Sequence, residues 1–267
     1  MMSEEIIHPS KNLYCYKNIS IENISSVLWR LSWGHLKITY LHHSGFICEL
    51  EDCILVFDYY MDPEGKLDDL CEVSSKPLYF FVSHFHADHF NPEINRFESR
   101  AEGYFIHRDC TLTLRNHEML HCMEVGDFMV TKYFRIKMFG STDAGGSFLI
   151  NHPKASVFHA GDLNWWHWAG EGDSDNLAAR DEYFKELERI PKTSMDIVFF
   201  PVDARQAVAR EWGVKAFLEK FDVSTVLVPM HAFGIRWSPS YEFRWRFPDI
   251  PLWIPKAEGD VYVGEVK

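Results

Sequence analysis

Residues 84–89 read His-Phe-His-Ala-Asp-His, so three histidines and an aspartate fall within six residues. Imidazole nitrogens and a carboxylate suit zinc or a similar first-row ion. The cluster follows directly on Leu78-Tyr79-Phe80-Phe81-Val82, an apolar run that predicts a short buried strand. A strand ending in His-x-His-x-Asp-His delivers several ligands from one turn. His84 with His86, and Asp88 with His89, are together more than one tetrahedral ion uses. The spacing therefore points to two ions side by side.

Three further apolar runs end in residues of the same chemistry: Ile54-Leu55-Val56-Phe57-Asp58, Val157-Phe158-His159-Ala160-Gly161-Asp162 and Val226-Leu227-Val228-Pro229-Met230-His231. With the His-x-His-x-Asp-His motif, their order and spacing resemble the metallo-β-lactamase-fold hydrolases over nearly the whole chain. Leu41-His42-His43-Ser44-Gly45-Phe46 and the closing Pro229-Met230-His231 are most similar to the branch that includes ascorbate-6-phosphate lactonase. The resemblance implies an α/β fold, a four-layer αββα sandwich with metals at one edge between the sheets. It implies that His84 and His86 bind a first ion, that Asp88, His89 and His231 bind a second, and that Asp162 bridges them. Two close divalent ions share a water and lower its pKa toward neutrality. Asp88 is then expected to double as proton acceptor.

One departure matters. The family supplies a third histidine to the first ion from the loop after a middle strand. Here that loop is Phe139-Gly140-Ser141-Thr142-Asp143-Ala144-Gly145-Gly146, with no histidine. Three readings stay open. Asp143 replaces the imidazole, a harder ligand that favours manganese, iron or magnesium; His167 reaches in from the aromatic loop; or the first site is weak or empty. Ser141 and Thr142 are poor ligands when neutral and are expected to hydrogen-bond nearby groups.

Other residues invite roles beside these. Asp58 is a candidate partner for the far nitrogen of a ligating imidazole, or a turn cap. His43 either approaches the site from its turn or is structural. His107 ends a strand, facing the cleft as proton donor or substrate anchor or standing as an ordinary strand-end residue. His159 is expected in the core or behind the ligands. Trp165, Trp166 and Trp168 read as a pocket wall, a dimer contact or core packing, and Asn164 as a residue that orients water. Asp203 and Arg205 anchor polar substrate groups or pair with each other. The arginines at 236, 244 and 246, interleaved with aromatics, suit a small anionic pocket or cation–π packing.

The elements that must position these residues alternate between strand and helix, which sets the α/β class. Strands are predicted at 37–41, 46–50, 54–58, 78–82, 104–107, 128–130, 134–139, 147–150, 195–200 and 225–228. A helix is predicted at 67–73 and another starts at Asn91-Pro92-Glu93, with Asn as cap and Pro in the first turn. Residues 177–190 carry Tyr183, Phe184, Leu187 and Ile190 at helical spacing; residues 204–218 include a further helix. The chain reads as a single domain over 1–267, with 1–32 as an N-terminal extension holding a short helix at 19–31.

The 267 residues carry a net charge of −12, with 46% hydrophobic and 15% aromatic content. That suits a compact core and weighs against a broad nucleic-acid surface, which needs Lys and Arg to displace counterions. No apolar run approaches the roughly 20 residues of a membrane helix, and the acidic start Met1-Met2-Ser3-Glu4-Glu5 is unlike a secretory signal. Six cysteines without a C-x-x-C pair suit reduced thiols; zinc held by Cys110 and Cys122 is the minor alternative. The expectation is a cytoplasmic metal-dependent hydrolase with one or two divalent ions, zinc first, manganese or iron open. It would cleave an ester, lactone, amide or phosphoester of a small polar substrate, an anionic one included. No nucleic acid or membrane partner is expected, and a homo-oligomer is left open. Two alternatives stand: a two-metal phosphodiesterase or nuclease, and a degenerate member that binds metal or ligand without turnover.

Overall fold

The computed structural model describes residues 34–233 and 235–266. The expected N-terminal extension and its helix at 19–31 lie outside the described residues. From Gly34 the chain runs β1 (Gly34–His42), β2 (Gly45–Glu49), β3 (Ile54–Phe57), α1 (Lys66–Val73), β4 (Leu78–Val82), a 3₁₀ helix (Pro92–Phe97), β5 (Ala101–His107), β6 (Leu120–Met123) and β7 (Phe128–Val130). It continues with β8 (Arg135–Gly140), β9 (Gly146–His152), β10 (Ala155–His159), α2 (Asp173–Arg189), β11 (Met195–Pro201), α3 (Trp212–Lys220), β12 (Val223–Met230), α4 (Tyr241–Arg246) and β13 (Val261–Val266).

The strands form two sheets, ordered β13-β1-β2-β3-β4-β5-β6 and β12-β11-β10-β9-β8-β7. Within the first, β3 to β6 run parallel, and within the second, β10 to β12 do. Parallel strands covered on both faces read as unbroken apolar runs rather than alternating ones, which is why Leu78–Val82 and Met195–Pro201 stand out in the sequence. Along β4 the side chains still divide by parity. Tyr79 and Phe81 enter the layer between the sheets, while Leu78, Phe80 and Val82 face outward.

Between the sheets, Phe46 and Phe57 meet Phe199 at ring-centroid distances of 4.5 and 5.6 Å, and Phe81 meets Phe148 at 5.5 Å. Outside the first sheet, Leu67 and Leu70 of α1 pack in one cluster with Phe80 and with Ile94 and Phe97 of the 3₁₀ helix. Outside the second, Phe217 of α3 lies 5.5 Å from Phe158 and 4.9 Å from Phe200. Each such buried ring contributes about 1.5–3 kcal/mol relative to exposure. The result is the expected α/β sandwich in four layers, helix–sheet–sheet–helix.

Asn91 caps the 3₁₀ helix as expected, its side chain accepting from Glu93 N at 2.9 Å. The helix predicted at 177–190 starts earlier, at Asp173. β13 was not expected: it is a half-exposed edge strand paired antiparallel to β1 in unbroken register, Gly264 included. No helix among the described residues is long and apolar enough to cross a membrane.

Candidate metal centre

Five parallel strands end in polar side chains at one rim of the sandwich. Asp58 follows β3, the residues 83–89 follow β4, Asp162 follows β10, Asp203 follows β11 and His231 follows β12. Open α/β sheets bind ligands at the carboxyl ends of their strands, because a rigid strand end fixes a side chain that a long loop would not. Two hairpin turns add His43, between β1 and β2, and Asp143, between β8 and β9.

The donors fall into overlapping groups in which potential ligand atoms lie within 4.8 Å of one another: His86 with Asp143 and Asp162; His84 with His89 and Asp162; and His43 with Asp88, His89 and His231. Asp162 joins them. Its Oδ2 is 3.4 Å from His84 Nε2, and its Oδ1 is 3.1 Å from His89 Nε2 and 3.4 Å from His231 Nε2. His84 Nε2 is also 3.0 Å from His86 Nδ1.

The far nitrogens of three imidazoles are occupied. Asp58 Oδ2 accepts from His89 Nδ1 at 2.7 Å, and Asp203 Oδ2 accepts from His231 Nδ1 at 3.0 Å. Asp58 also accepts from Ser83 N and Ser83 Oγ, both at 2.7 Å, so Ser83 Oγ is left to accept from His84 Nδ1 at 2.9 Å. This network assigns the proton to Nδ1 in each ring and turns the Nε2 lone pair toward Asp162, the arrangement of metal-ligating histidines. His43 Nε2, His89 Nε2 and Asp162 Oδ1 are buried and have no hydrogen-bond partner among the described residues. Buried polar atoms are rarely left so. The donor set, imidazoles and carboxylates in two adjoining groups, fits divalent first-row ions.

The backbone is strained here. Among the described residues four non-glycine residues have positive φ, and three of them are His43 (53°), Asp58 (39°) and His231 (62°); such strain concentrates where structure serves function. Gly145, at φ 66°, lets the β8–β9 turn lie against the metal motif. A Cβ there would meet Ser83 O at 2.0 Å and His84 Cβ at 2.5 Å. That close approach is what brings Asp143 beside His86.

Charge follows position. Burial, with the neighbouring His231 and His89, pushes the His43 pKa down to about 2. Burial also opposes charge on His89, but Asp162 and Asp58 outweigh it and raise its pKa to about 10. Burial would raise Asp162, yet His89, His84 and His231 hold it well below the usual carboxylate range. A divalent ion held here would compete with a proton for His89 Nε2.

Trp166 and Trp168 stand beside the centre in a cavity of about 350 Å³ that also takes in Asp143, Arg205 and Phe233. Trp166 donates from Nε1 to the Asp162 carbonyl at 2.9 Å and stacks on Trp168. Trp165 packs instead on Phe184 and Trp212. Arg205 lies 3.7 Å over the Phe233 ring and pairs with Asp203 through Nε and Nη2. Thr142 bonds the Asn164 backbone, as expected of a hydrogen-bonding residue.

Several expectations meet a different arrangement. His107 is not brought to the centre: the turn after β5 pairs it with Asp109 at 2.8 Å, and it joins none of the donor groups. His167 packs on Trp212 and does not reach the first group, which has Asp143 instead. Asn164 is fully buried, and its side-chain amide donates to Gln206. His159, by contrast, is a core residue as expected, stacked on Phe57 with Nε2 donating to the Ser44 carbonyl. Neither Cys110 nor Cys122 joins a donor group. His43 was left undecided by the sequence, because a turn histidine carries no periodic signal; the structure puts its ring 4.2 Å from that of His231. A separate trio, Asp52, Cys53 and His152, lies at the ends of β2, β3 and β9 away from this rim, with the Cys53 thiol pushed up by burial.

No protein-family model matches the sequence, and no curated protein does. Solved structures match its fold. The metallo hydrolase Igni18 of the archaeon Ignicoccus hospitalis superposes with a TM-score of 0.56 at 17% identity, over 87% of this chain and 100% of that one. A protein of Parabacteroides distasonis assigned as a metal-dependent hydrolase gives 0.52 at 15% identity, over 83% and 93%. Isothiocyanate hydrolase from Delia radicum gut bacteria gives 0.50 at 14% identity, over 86% and 100%. At these identities the chain has in common with these hydrolases their fold.

Proposed function

We propose that the chain is a metal-dependent hydrolase of a small polar substrate. The observation that carries the reading is the convergence of His43 Nε2, His89 Nε2 and Asp162 Oδ1, buried and unpartnered, at one rim of strand ends. His84, His86, Asp143 and Asp162 would hold one divalent ion; His43, Asp88, His89, His231 and the other oxygen of Asp162 would hold a second. Zinc, manganese and iron all suit these donors, and the carboxylate of Asp143 hardens the first set. When bound, such ions supply Lewis acidity and a water that ionises near neutral pH.

The chain's own groups do the rest. Asp58 and Asp203 fix which nitrogen of His89 and His231 carries a proton. Asp88, with its side chain 35% exposed and Oδ2 3.4 Å from His43 Nε2, is the carboxylate at the cavity mouth and takes up a proton there. Trp166 and Trp168 exclude water from one side. Arg205, held by Asp203, is the cation lining this cavity and orients an anionic group of the substrate. An ester or lactone is favoured over an amide or phosphoester by the sequence resemblance to the lactonase branch. The test is a panel of such substrates with protein loaded in turn with zinc, manganese or iron. Metal-dependent hydrolysis that His86→Ala abolishes is expected; hydrolysis indifferent to chelator and to His86→Ala would overturn the reading.

A further inference from the structure

The centre has a second cavity on its other side. It too measures about 350 Å³, and it reaches the donors at His43 and Asp88, with Phe233 in its wall. The Arg205 cavity reaches them at Asp88 and His231 among others, also with Phe233 in its wall. Asp88 and Phe233 thus belong to both walls, and the two spaces meet there. Phe233 stands 4.6 Å from the His43 ring and 5.1 Å from that of His231.

The two spaces differ in chemistry. The first is lined by imidazoles, carboxylates, a hydroxyl and a guanidinium. One wall of the second is Val202, Pro229, Met230, Trp237, Ile254 and Pro255, while Tyr40, His42, Tyr60 and Glu258 line it elsewhere. Val202 and Met230 are 1% exposed and Trp237 is 5% exposed, so this wall is core rather than a loose surface patch. Its basic residues, Arg236 and Lys256, are exposed. His43, 5% exposed with Nε2 unpartnered, stands where this space meets the donors. A space of this size with one apolar wall and polar groups converging at its donor end has the character of a small-molecule site.

We propose that this second cavity is the subsite for an apolar acyl group, so that the substrate is an acyl ester or thioester whose leaving group lies on the Arg205 side. The inference rests on the hydrolase reading above. Water adds across the acyl bond at the Asp88 junction: its hydroxyl goes to the carbonyl carbon, the carbon–heteroatom bond breaks, and its proton leaves with the departing group. The acid released has its chain in the cavity and its carboxylate at the donors.

Two measurements on the full chain test this. The first is calorimetric binding of octanoate and acetate to the metal-loaded and the metal-free protein. Each methylene buried in such a space is worth about fourfold in affinity, so octanoate should bind at least about tenfold tighter than acetate. The second is the ratio of kcat/KM for p-nitrophenyl octanoate to that for the acetate, in wild type and in Ala257→Trp. Ala257 lines the cavity and is exposed, so an indole enters the space without displacing core. The substitution should lower both the octanoate preference and the kcat/KM ratio by at least about tenfold; Ile254→Trp is the second variant should the first not fold. Equal binding of octanoate and acetate by the wild type would overturn the acyl subsite. Ester hydrolysis indifferent to chain length and to both tryptophans would overturn it while leaving the hydrolase reading intact. Preferred, variant-sensitive octanoate binding without turnover of any ester would keep the subsite and sink the hydrolase reading.

Discussion

Asp58→Asn is the substitution in which the network behind the donors is most exposed to test. The carboxylate is 1% exposed and accepts three hydrogen bonds at 2.7 Å, from Ser83 N, Ser83 Oγ and His89 Nδ1. Asparagine keeps the shape but has one oxygen and one amide nitrogen. With its oxygen toward Ser83 N, the amide faces His89 Nδ1 and drives the ring proton to Nε2, where a metal should bind. Turned round, the amide meets the Ser83 N–H donor to donor. Either way a charge-assisted bond of about 1.5–3 kcal/mol is lost. Loss of such a partner lowers metal affinity by about 10–100-fold, or about 1.4–2.8 kcal/mol. A loss near 2 kcal/mol also lowers Tm by about 4–8 °C in a protein of this size. Zinc affinity is read by competition with a chelating dye, and Tm by calorimetry on metal-free and metal-loaded protein. A variant that binds zinc within about twofold of wild type would refute the argument that Asp58 sets the His89 tautomer.

Other expectations follow from the same geometry. His86→Ala and Asp162→Asn should lower metal content and abolish hydrolysis, since each removes a donor of the first group and Asp162 serves both; full activity in either would show the site is misassigned. Asp143→Ala should cost one ion and leave the other, as read by elemental analysis; unchanged stoichiometry would remove Asp143 from the donor set. Burial pushes up the thiols of Cys48 and Cys53 and the phenol of Tyr183. The folded chain therefore keeps protons that the unfolded chain releases above about pH 8.5. This contribution to stability is full below that pH and is lost as pH rises toward the folded values. The urea midpoint should fall between about pH 8 and about pH 10, and an unchanged midpoint would show that these groups are not buried as described.

What could be read from the sequence, and what could not, has a common physical cause. The strands that feed the centre are parallel and covered on both faces, so Leu78–Val82, Met195–Pro201 and Val223–Met230 announce themselves as apolar runs. Their ends then mark a rim, and the family resemblance implied that His84, His86, Asp88, His89, Asp162 and His231 gather there. Turn geometry carries no such signal. His43 and Asp143 reach the centre only because a positive φ at His43 and the glycine at 145 turn two hairpins inward. His107 also ends a strand, yet its turn pairs it with Asp109; position at a strand end does not say which way the next turn throws the ring. β13 escaped notice because it is short, contains Gly264 and Glu265, and lies along a sheet edge with little of it buried. The second role of Asp203, as the partner of His231 as well as of Arg205, follows from two parallel strands being neighbours, which sequence order alone does not tell.

The central claim is that the unpartnered donors hold divalent ions. Metal content per chain, by elemental analysis of protein purified without a metal-binding tag or chelator, tests it most directly. The account predicts about two ions per chain in the wild type and a clear loss in Asp162→Asn. A chain that carries no ion, and takes up none on reconstitution with zinc, manganese or iron, would contradict it.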